Sequence, residues 1–494
     1  MDCATLSVAV QMATCMPISF KVKAAVFGLL LSFLTLNVSA QQFSLYGTGT
    51  LWDSFENPSQ SPYELNESRQ FASNFFVPNS SVNMKFNGQA QVALKNILLY
   101  SNGLSATDLD VDAGGYNRFS VNENSYLLML RLFKTVKYRR ELGFSWQTRA
   151  ESHGKLHNQA LIIFKTAAEL EKNGIEEYMD RLGPDRLQAT SIQAQAYHQI
   201  GLTYREQYNK NFSYGIKLSY LSGIGHNSLK VRSAELKEDP NDPESWRFAV
   251  DGRLRSSYYE NVDWDDLRPN FRNPGMSLSL SSKLKLQDGW NVLTNLKDVG
   301  FIRWSGDSYM NNSPVVINTQ DRAKDQVEGI REVMVRQRYT SVINGKAEAH
   351  ISRETGAFKP SVLLSKNLFN NSGDVVLMNS FRHKILQLGV SGAYNLNDYF
   401  QFGGQLMLKS ANVEFFLGTD NLFQSYRAQV LLTDNEEQRK ERLNEGIKGS
   451  SAYIGFSLKF GRIVSHPQNE NYIPGINHRV PGTGFLNKIF GKRD

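Results

Sequence analysis

His153 and His157 stand four residues apart, the spacing at which two imidazoles on one helical turn can share a metal ion. No Glu follows His153, as that zinc motif requires, so the pair reads as part of a solvated loop. The other histidines (His198, His226, His350, His383, His466 and His478) are scattered along the chain. Asp108, Asp110 and Asp112, with Gly114 after them, have the look of the start of a calcium loop. The twelfth position of such a loop must supply a bidentate Glu, and here it is Phe119, so a hydrated strand edge is the better reading. Asp263, Asp265 and Asp266 flank Trp264 and read as a solvated loop. Gly47-Thr48-Gly49 and Gly223-Ile224-Gly225 are too short to cradle a phosphate and lack a lysine partner. No G-x-S-x-G elbow is present. The only cysteines are Cys3 and Cys15, which excludes a disulfide framework and a cysteine-ligated metal. The sequence therefore predicts no catalytic residue, no metal and no cofactor, and the chain does not read as an enzyme.

The polar residues with more to say are Glu141, Arg205, Lys217, Lys283, Lys285, Gln405 and Lys409. Each lies on the polar face of a segment whose other face is apolar, so the segments must be considered first. In Ser451–Phe460, the residues Ala452, Ile454, Phe456, Leu458 and Phe460 fall on one face. Tyr453, Gly455, Ser457 and Lys459 fall on the other, which is the period-two pattern of a strand. The pattern recurs over 140–147, 198–205, 212–221, 276–286, 386–394 and 400–409. Short polar turns are expected at Thr135–Tyr138, Asn209–Phe212, Gln287–Trp290, Glu354–Phe358 and Leu396–Phe400. Long connections are expected over 148–195, 222–275, 305–345, 368–383 and 419–450. Alternation of short turns with long loops, with aromatics at strand ends, is the pattern of an outer-membrane barrel.

An all-β fold is thus expected: a closed antiparallel transmembrane β-barrel of roughly 12–14 strands, with long outer loops and a short helical insertion. Asn83–Leu99, Trp246–Ser257 and Lys346–Ser352 are its less regular strand candidates. The mean hydropathy of −0.40 does not oppose this, because a barrel strand shows lipid only at every second residue. If the apolar faces meet lipid, the seven polar residues named above face the lumen. Such a charged lumen is either water-filled or holds ionic contacts with a plug.

Residues 1–40 read as a signal peptide, with Lys21 and Lys23 before the apolar run Ala24–Leu36 and Val38-Ser39-Ala40 at the cleavage site. Met16 reads as the true start. The barrel then spans 41–460, with a helical insertion over 159–190 that could cap or plug its mouth. Residues 461–494 read as an irregular basic tail, with five Lys/Arg against two Asp/Glu. The formal charge of +7 is spread without a polybasic block, so no nucleic-acid partner is expected. The expected location is the outer membrane of a Gram-negative cell. The expected partners are outer-membrane lipid, the barrel-assembly machinery and a small-molecule ligand.

Four segments add a resemblance. FENPSQSP at 55–62 resembles the NPA-type segment near the start of several Gram-negative outer-membrane barrels. GIKLSYLSGIG at 215–225, LKDVGFIRW at 296–304 and FFLGTDNLF at 415–423 resemble segments of a large family of exported barrels of unknown function. That family is distantly similar to the long-chain fatty-acid channels and to the barrels associated with gliding motility and type-nine secretion. The resemblance covers about residues 43 to 461 and implies fold and location, with no functional residue to carry over. Together with the lumen, it points to a passive channel or binding barrel for a small solute, with a hydrophobic one favoured by the fatty-acid-channel likeness. The alternative is a secretion or motility component that docks a protein partner through its loops or tail.

Overall fold

The computed structural model describes residues 45–63, 69–89, 115–135, 139–158, 190–239, 242–257, 267–311, 313–318, 333–370, 372–396, 399–433 and 448–463. The expected signal peptide, the expected insertion 159–190 up to Thr190, Asp108–Asp112, Asp263–Asp266 and the chain beyond residue 463 lie outside the described residues.

Period-two patterning builds the structure. The first strands are β1 (Arg69–Ser73), β2 (Asn79–Asn87), β3 (Tyr116–Thr135), β4 (Arg140–His157), β5 (Ser191–Gln207), β6 (Phe212–Asp239) and β7 (Asp242–Ser256). There follow β8 (Pro274–Lys285), β9 (Trp290–Trp304), β10 (Tyr309–Asn311), β11 (Val315–Asn318), β12 (Met334–Arg336) and β13 (Tyr339–Val342). The last are β14 (Lys346–Arg353), β15 (Phe358–Asn367), β16 (Gly373–His383), β17 (Leu386–Asn395), β18 (Tyr399–Lys409), β19 (Val413–Thr419) and β20 (Gly449–Ile463). Helix α1 (Leu51–Glu56) precedes this series, and helix α2 (Leu422–Thr433) lies between β19 and β20. Along β18 the side chains at Gln401, Gln405, Met407 and Lys409 are buried, while Phe400, Phe402, Leu406 and Leu408 are exposed.

The sheet closes on itself as an antiparallel 14-strand barrel with extra strands. β20 pairs with β19 on one edge and with β1 and β2 on the other, and β1 and β2 both pair with β3. β1 and β2 thus serve as one interrupted strand. β13 and β14 do the same along β9. The exterior rows expose Leu218, Leu280, Leu377, Leu388, Val390 and Leu408 among many others. So much continuous apolar surface suits lipid and not water, and a closed wall leaves no backbone edge in hydrocarbon.

One end of the barrel carries the tight connections 135–140, 207–212, 285–290, 353–358, 383–386 and 409–413. β1 begins and β20 ends there as well. The turn expected at Leu396–Phe400 joins β17 to β18 at the opposite end, a correction to the sequence reading. Much of what reads as long connection is strand. Residues 373–383 form β16, whose Val375 and Leu377 face out while Val376 and Met378 face in. Apolar residues on both faces leave no alternation to detect. The stretches 222–275 and 305–345 hold the far half of β6, β7 and β10 to β13, and 419–450 holds α2. The expected strand Trp246–Ser257 forms as part of β7, which ends at Ser256, but it lies off the closed wall. β7 pairs with β6 beyond the point where β8 ends, and carries β10 and β11 on its other edge.

The break between β1 and β2 is patched by side chains. Phe75 and Phe76 adopt left-handed backbone angles (φ 48° and 62°) and point outward, and the ladder is lost over 74–78. Asn74 Oδ1 accepts the Met129 amide of β3 at 2.7 Å, and its Nδ2 donates to the Tyr126 and Leu127 carbonyls at 3.2 Å. Asn79 Oδ1 accepts the Phe456 amide of β20 at 3.0 Å. Two amide side chains therefore stand in for the missing backbone partners, as a buried ladder demands. Asn74→Ala should destabilise the barrel by about 1–3 kcal/mol, the cost of unsatisfied buried groups. Urea titration in lipid vesicles checks this; an unchanged midpoint would remove the structural role assigned to Asn74.

Candidate functional site: the lumen and its plug

The chain segment 45–63 fills the barrel interior. Its helix α1 is short and buried throughout. Thr50 caps it by accepting the Asp53 amide at 3.2 Å, and Glu414 of β19 accepts the first helical amide, at Leu51, at 2.8 Å. A carboxylate at a helix N-terminus is electrostatically favourable. Asp53, on the plug rather than the wall, has its carboxyl pushed above the ordinary value by burial, against hydrogen bonds from Asn57 and the Gly49 amide. After the helix the chain turns back through Asn57, Pro58 and Ser59, which press on β6 at Gly215. A β-carbon there would lie 2.2 Å from the Pro58 carbonyl carbon. A glycine is the residue type that admits so close a backbone.

Wall charges hold this segment by its backbone. Glu141 bridges Arg131 at 3.1 Å and Arg205 at 2.8 Å, and Arg131 and Glu141 are fully buried. The spare guanidinium N–H groups then donate to plug carbonyls. Arg131 reaches Ser54 at 2.7 Å and Gln60 at 3.2 Å, and Arg205 reaches Ser59 at 2.8 Å. Lys409 donates to the Thr48 carbonyl at 2.9 Å, Lys359 to that of Gly47, and Lys283 to the Gln60 side chain at 2.8 Å. Glu56 at the end of α1 pairs with Lys297 and accepts from Tyr126 at 2.7 Å and Asn124 at 3.0 Å. Tyr63 closes the segment by donating to the Arg131 carbonyl at 2.7 Å.

Deeper in the lumen Asp298 sits at a bulge with φ +50°, opposite the register shift in β8. It pairs with Arg149 and accepts from Gln199 at 2.8 Å and Ser279 at 3.2 Å. Most buried inward residues of the wall are Gln, Ser, Thr, Asn and charges, on β17, β18 and β20 (Ser391, Gln401, Gln405, Lys409, Ser457, Lys459) as on β4 to β6, β8 and β9. Two apolar clusters interrupt them: Met129, Phe133, Met407, Phe416 and Tyr453 beside the plug, and Tyr197, Leu221, Ile302 and Trp304 with Tyr339 and Ile343. The plug meets both kinds of surface. Trp52 packs edge-on to Tyr126 and Phe416 at 5.0 and 6.0 Å, and Phe55 lies 6.1 Å from Tyr126, while Glu56 and Asn57 meet Lys297 and Asn295.

Of the sequence candidates, Glu141, Arg205, Lys217, Gln405 and Lys409 are buried and inward-facing, and Lys283 is half-buried against the plug. Lys217 is 3.4 Å from the Tyr126 hydroxyl, and Gln405 accepts from Tyr453 at 2.9 Å. Lys285 is exposed at the short-turn end, where β8 runs out of the wall. Arg131, Lys297, Lys359 and Glu414 are plug contacts that the sequence reading misses. Arg131 lies in the run Leu127–Phe133, which is apolar on both faces because Met129 and Phe133 meet the plug. Among the described residues no group of three or more His, Cys, Asp and Glu side chains could hold a metal ion.

Glu141→Ala leaves Arg131 and Arg205 buried without their shared carboxylate. Removing one partner of a buried pair typically costs about 3–5 kcal/mol. Amide hydrogen exchange over 50–60 should quicken accordingly while the wall strands stay protected; Lys285→Ala should change neither. Unaltered exchange over 50–60 in Glu141→Ala would dismiss the clamp.

Comparison with curated proteins finds no match. Among solved structures, similarity is found to a deletion mutant of the monoaromatic hydrocarbon channel TodX, at 8% identity and TM-score 0.42, covering 86% of this chain and 96% of that one. The translocator domain of the autotransporter NalP from Neisseria meningitidis matches at 6% identity and TM-score 0.32, covering 79% and 88%. A mutant of the Rh. blastica porin matches at 7% identity and TM-score 0.23, covering 78% and 99%. At these scores nothing about function follows. Residues 68–420 match the model of a protein family of unknown function, DUF5723, and the chain belongs to this family.

Proposed function

We propose that this protein is an outer-membrane channel closed by its own N-terminal segment, which passes a small apolar or amphipathic solute when that segment moves aside. The observation that carries the proposal is the apolar cluster on the inner wall, set within an otherwise polar lumen. A pore for water and ions has no use for Met129, Phe133, Met407, Phe416 and Tyr453 facing inward, whereas a solute with an apolar part does. The lipid-facing exterior and the signal peptide read from the sequence support the outer membrane as its location, with the short-turn end in the periplasm. The segment leaves the lumen at that end, where β1 begins, and Lys359, Lys409, Arg131 and Arg205 hold it near the tight turns. Its attachments are hydrogen bonds, ion pairs and ring contacts, all reversible. The extension formed by β7, β10 and β11 beyond the closed wall favours the second reading, a component that docks a protein partner there.

Gly215→Val tests the channel. The valine cannot coexist with Pro58 at its present position, yet valine suits a strand, so the wall should still form. In planar bilayers the unaltered protein should be mostly silent and Gly215→Val should give discrete conductance steps. Vesicle uptake should favour an aromatic hydrocarbon over a sugar of similar size. Silent insertion of a correctly folded Gly215→Val, judged by heat-modifiable gel migration, would refute the plug as gate. Equal uptake of both solutes would refute the apolar selectivity. Stoichiometric capture of a partner that is lost on trimming β7 would support the docking reading instead.

A further inference from the structure

Helix α2 is firmly placed. It follows β19 at the end opposite the tight turns. Asn421 before it donates to the Tyr399 hydroxyl at 2.6 Å. Ser425 meets the backbone amide and carbonyl of Ser451 at 3.1 and 3.2 Å, and Gln424 accepts the Lys448 amide at 3.1 Å. That side of the helix is thereby pinned to the start of β20. Leu422, Phe423 and Tyr426 occupy one side by helical spacing, and they are 43%, 64% and 68% exposed. Large apolar and aromatic groups held this way in water would be costly.

Phe423 shows what covers them. Its ring stacks on Phe402 with centroids 5.9 Å apart and planes 28° apart. Phe402 belongs to the outward row of β18, the row that continues through Leu406 and Leu408 into the lipid-facing belt. Phe400, 68% exposed, and Leu396 stand at the end of the same belt. The exposed side of α2 is therefore a continuation of the membrane-facing surface at its outer rim. Exposed Arg427 lies at the edge of that side, where it can meet lipid phosphate.

We propose that α2 is an interfacial anchor: Leu422, Phe423 and Tyr426 lie in the outer leaflet at the boundary between headgroups and acyl chains, with Arg427 against the phosphates. The occupant of this surface is lipid.

The chain has no cysteine after Cys15, so single cysteines can be introduced cleanly. Phe423→Cys and Tyr426→Cys are each labelled with an environment-sensitive fluorophore in the full chain. The labelled proteins are reconstituted in phospholipid vesicles carrying nitroxide lipids, labelled either at the headgroup or deep in the acyl chain. Val390→Cys in the middle of the belt and Arg336→Cys at the exposed residue of β12 serve as references. At 423 and 426, emission should shift to the blue, iodide quenching should be lost, and headgroup nitroxides should quench more than deep ones. Val390→Cys should show the reverse depth preference. Iodide quenching at 423 and 426 equal to that at Arg336→Cys, with no response to nitroxide, would overturn the proposal. Shielding seen only in native membranes and not in vesicles would overturn it too, since a protein partner would then be the cover.

Discussion

Charges are buried inside this barrel, and each has to be answered. Arg131 and Glu141 are fully shielded, and moving such groups out of water costs several kcal/mol apiece unless partners replace it. Glu141 alone cannot satisfy two guanidinium groups. The remaining N–H donors are met by carbonyls of Ser54, Ser59 and Gln60, which belong to the plug and not to the wall. The wall's inward charges thus presuppose the plug, and the plug's irregular backbone presupposes the wall. The same reciprocity runs through Glu414, which takes an amide of α1 and the ammonium of Lys459 at 3.0 Å. Gly215 completes it by leaving room for Pro58. Residues far apart in sequence are tied together because a low-dielectric interior penalises any group left unpaired.

The wall was legible in the sequence wherever one face was apolar and the other polar. β4, β5, β6, β8, β17, β18 and β20 all satisfy that condition, and the alternation gives their facing as well as their existence. It also places Glu141, Arg205, Lys217, Gln405 and Lys409 in the lumen. Legibility fails where the lumen itself is apolar. β16 and the middle of β3 present hydrophobic residues inward as well as outward, so period two vanishes, and Arg131 vanishes with it. The plug was illegible for another reason. A six-residue helix between irregular segments has too few residues for a periodic signal, and its fit depends on partners 68 or more residues away. The one local clue was the Asn57-Pro58 pair, which marks a turn without saying what surrounds it.

Interruptions of regularity in the wall fall where it meets something other than a neighbouring strand. The bulge at Asp298 turns a carboxylate toward Arg149 and Gln199. The break between β1 and β2 turns Phe75 and Phe76 outward while Asn74 and Asn79 take over the backbone pairing. β6 exchanges β8 for β7 where it leaves the closed barrel. Each departure is repaired by side-chain polar groups, as a lipid environment requires of any unpaired backbone.

In the channel reading, the mixed lining of the lumen also bears on how the plug leaves. The barrel ladder is formed by the wall strands, so withdrawal breaks side-chain contacts and leaves the wall standing. Around the charges, water can enter and solvate Arg131, Glu141, Arg205 and Lys297, so those ion pairs lose much less than they would in a sealed core. At the apolar cluster, water is a poor substitute for Trp52 and Phe55, and the surface of Tyr126, Met129, Phe416 and Tyr453 would be wetted at about 25 cal/mol per Å². In that reading the closed state is favoured chiefly by the apolar contacts. A solute that covers the same surface removes that preference, and one that is wholly polar does not. In the channel reading, opening and selectivity then have the same physical source: the solute that can pass is the one that can replace the aromatic side of the plug.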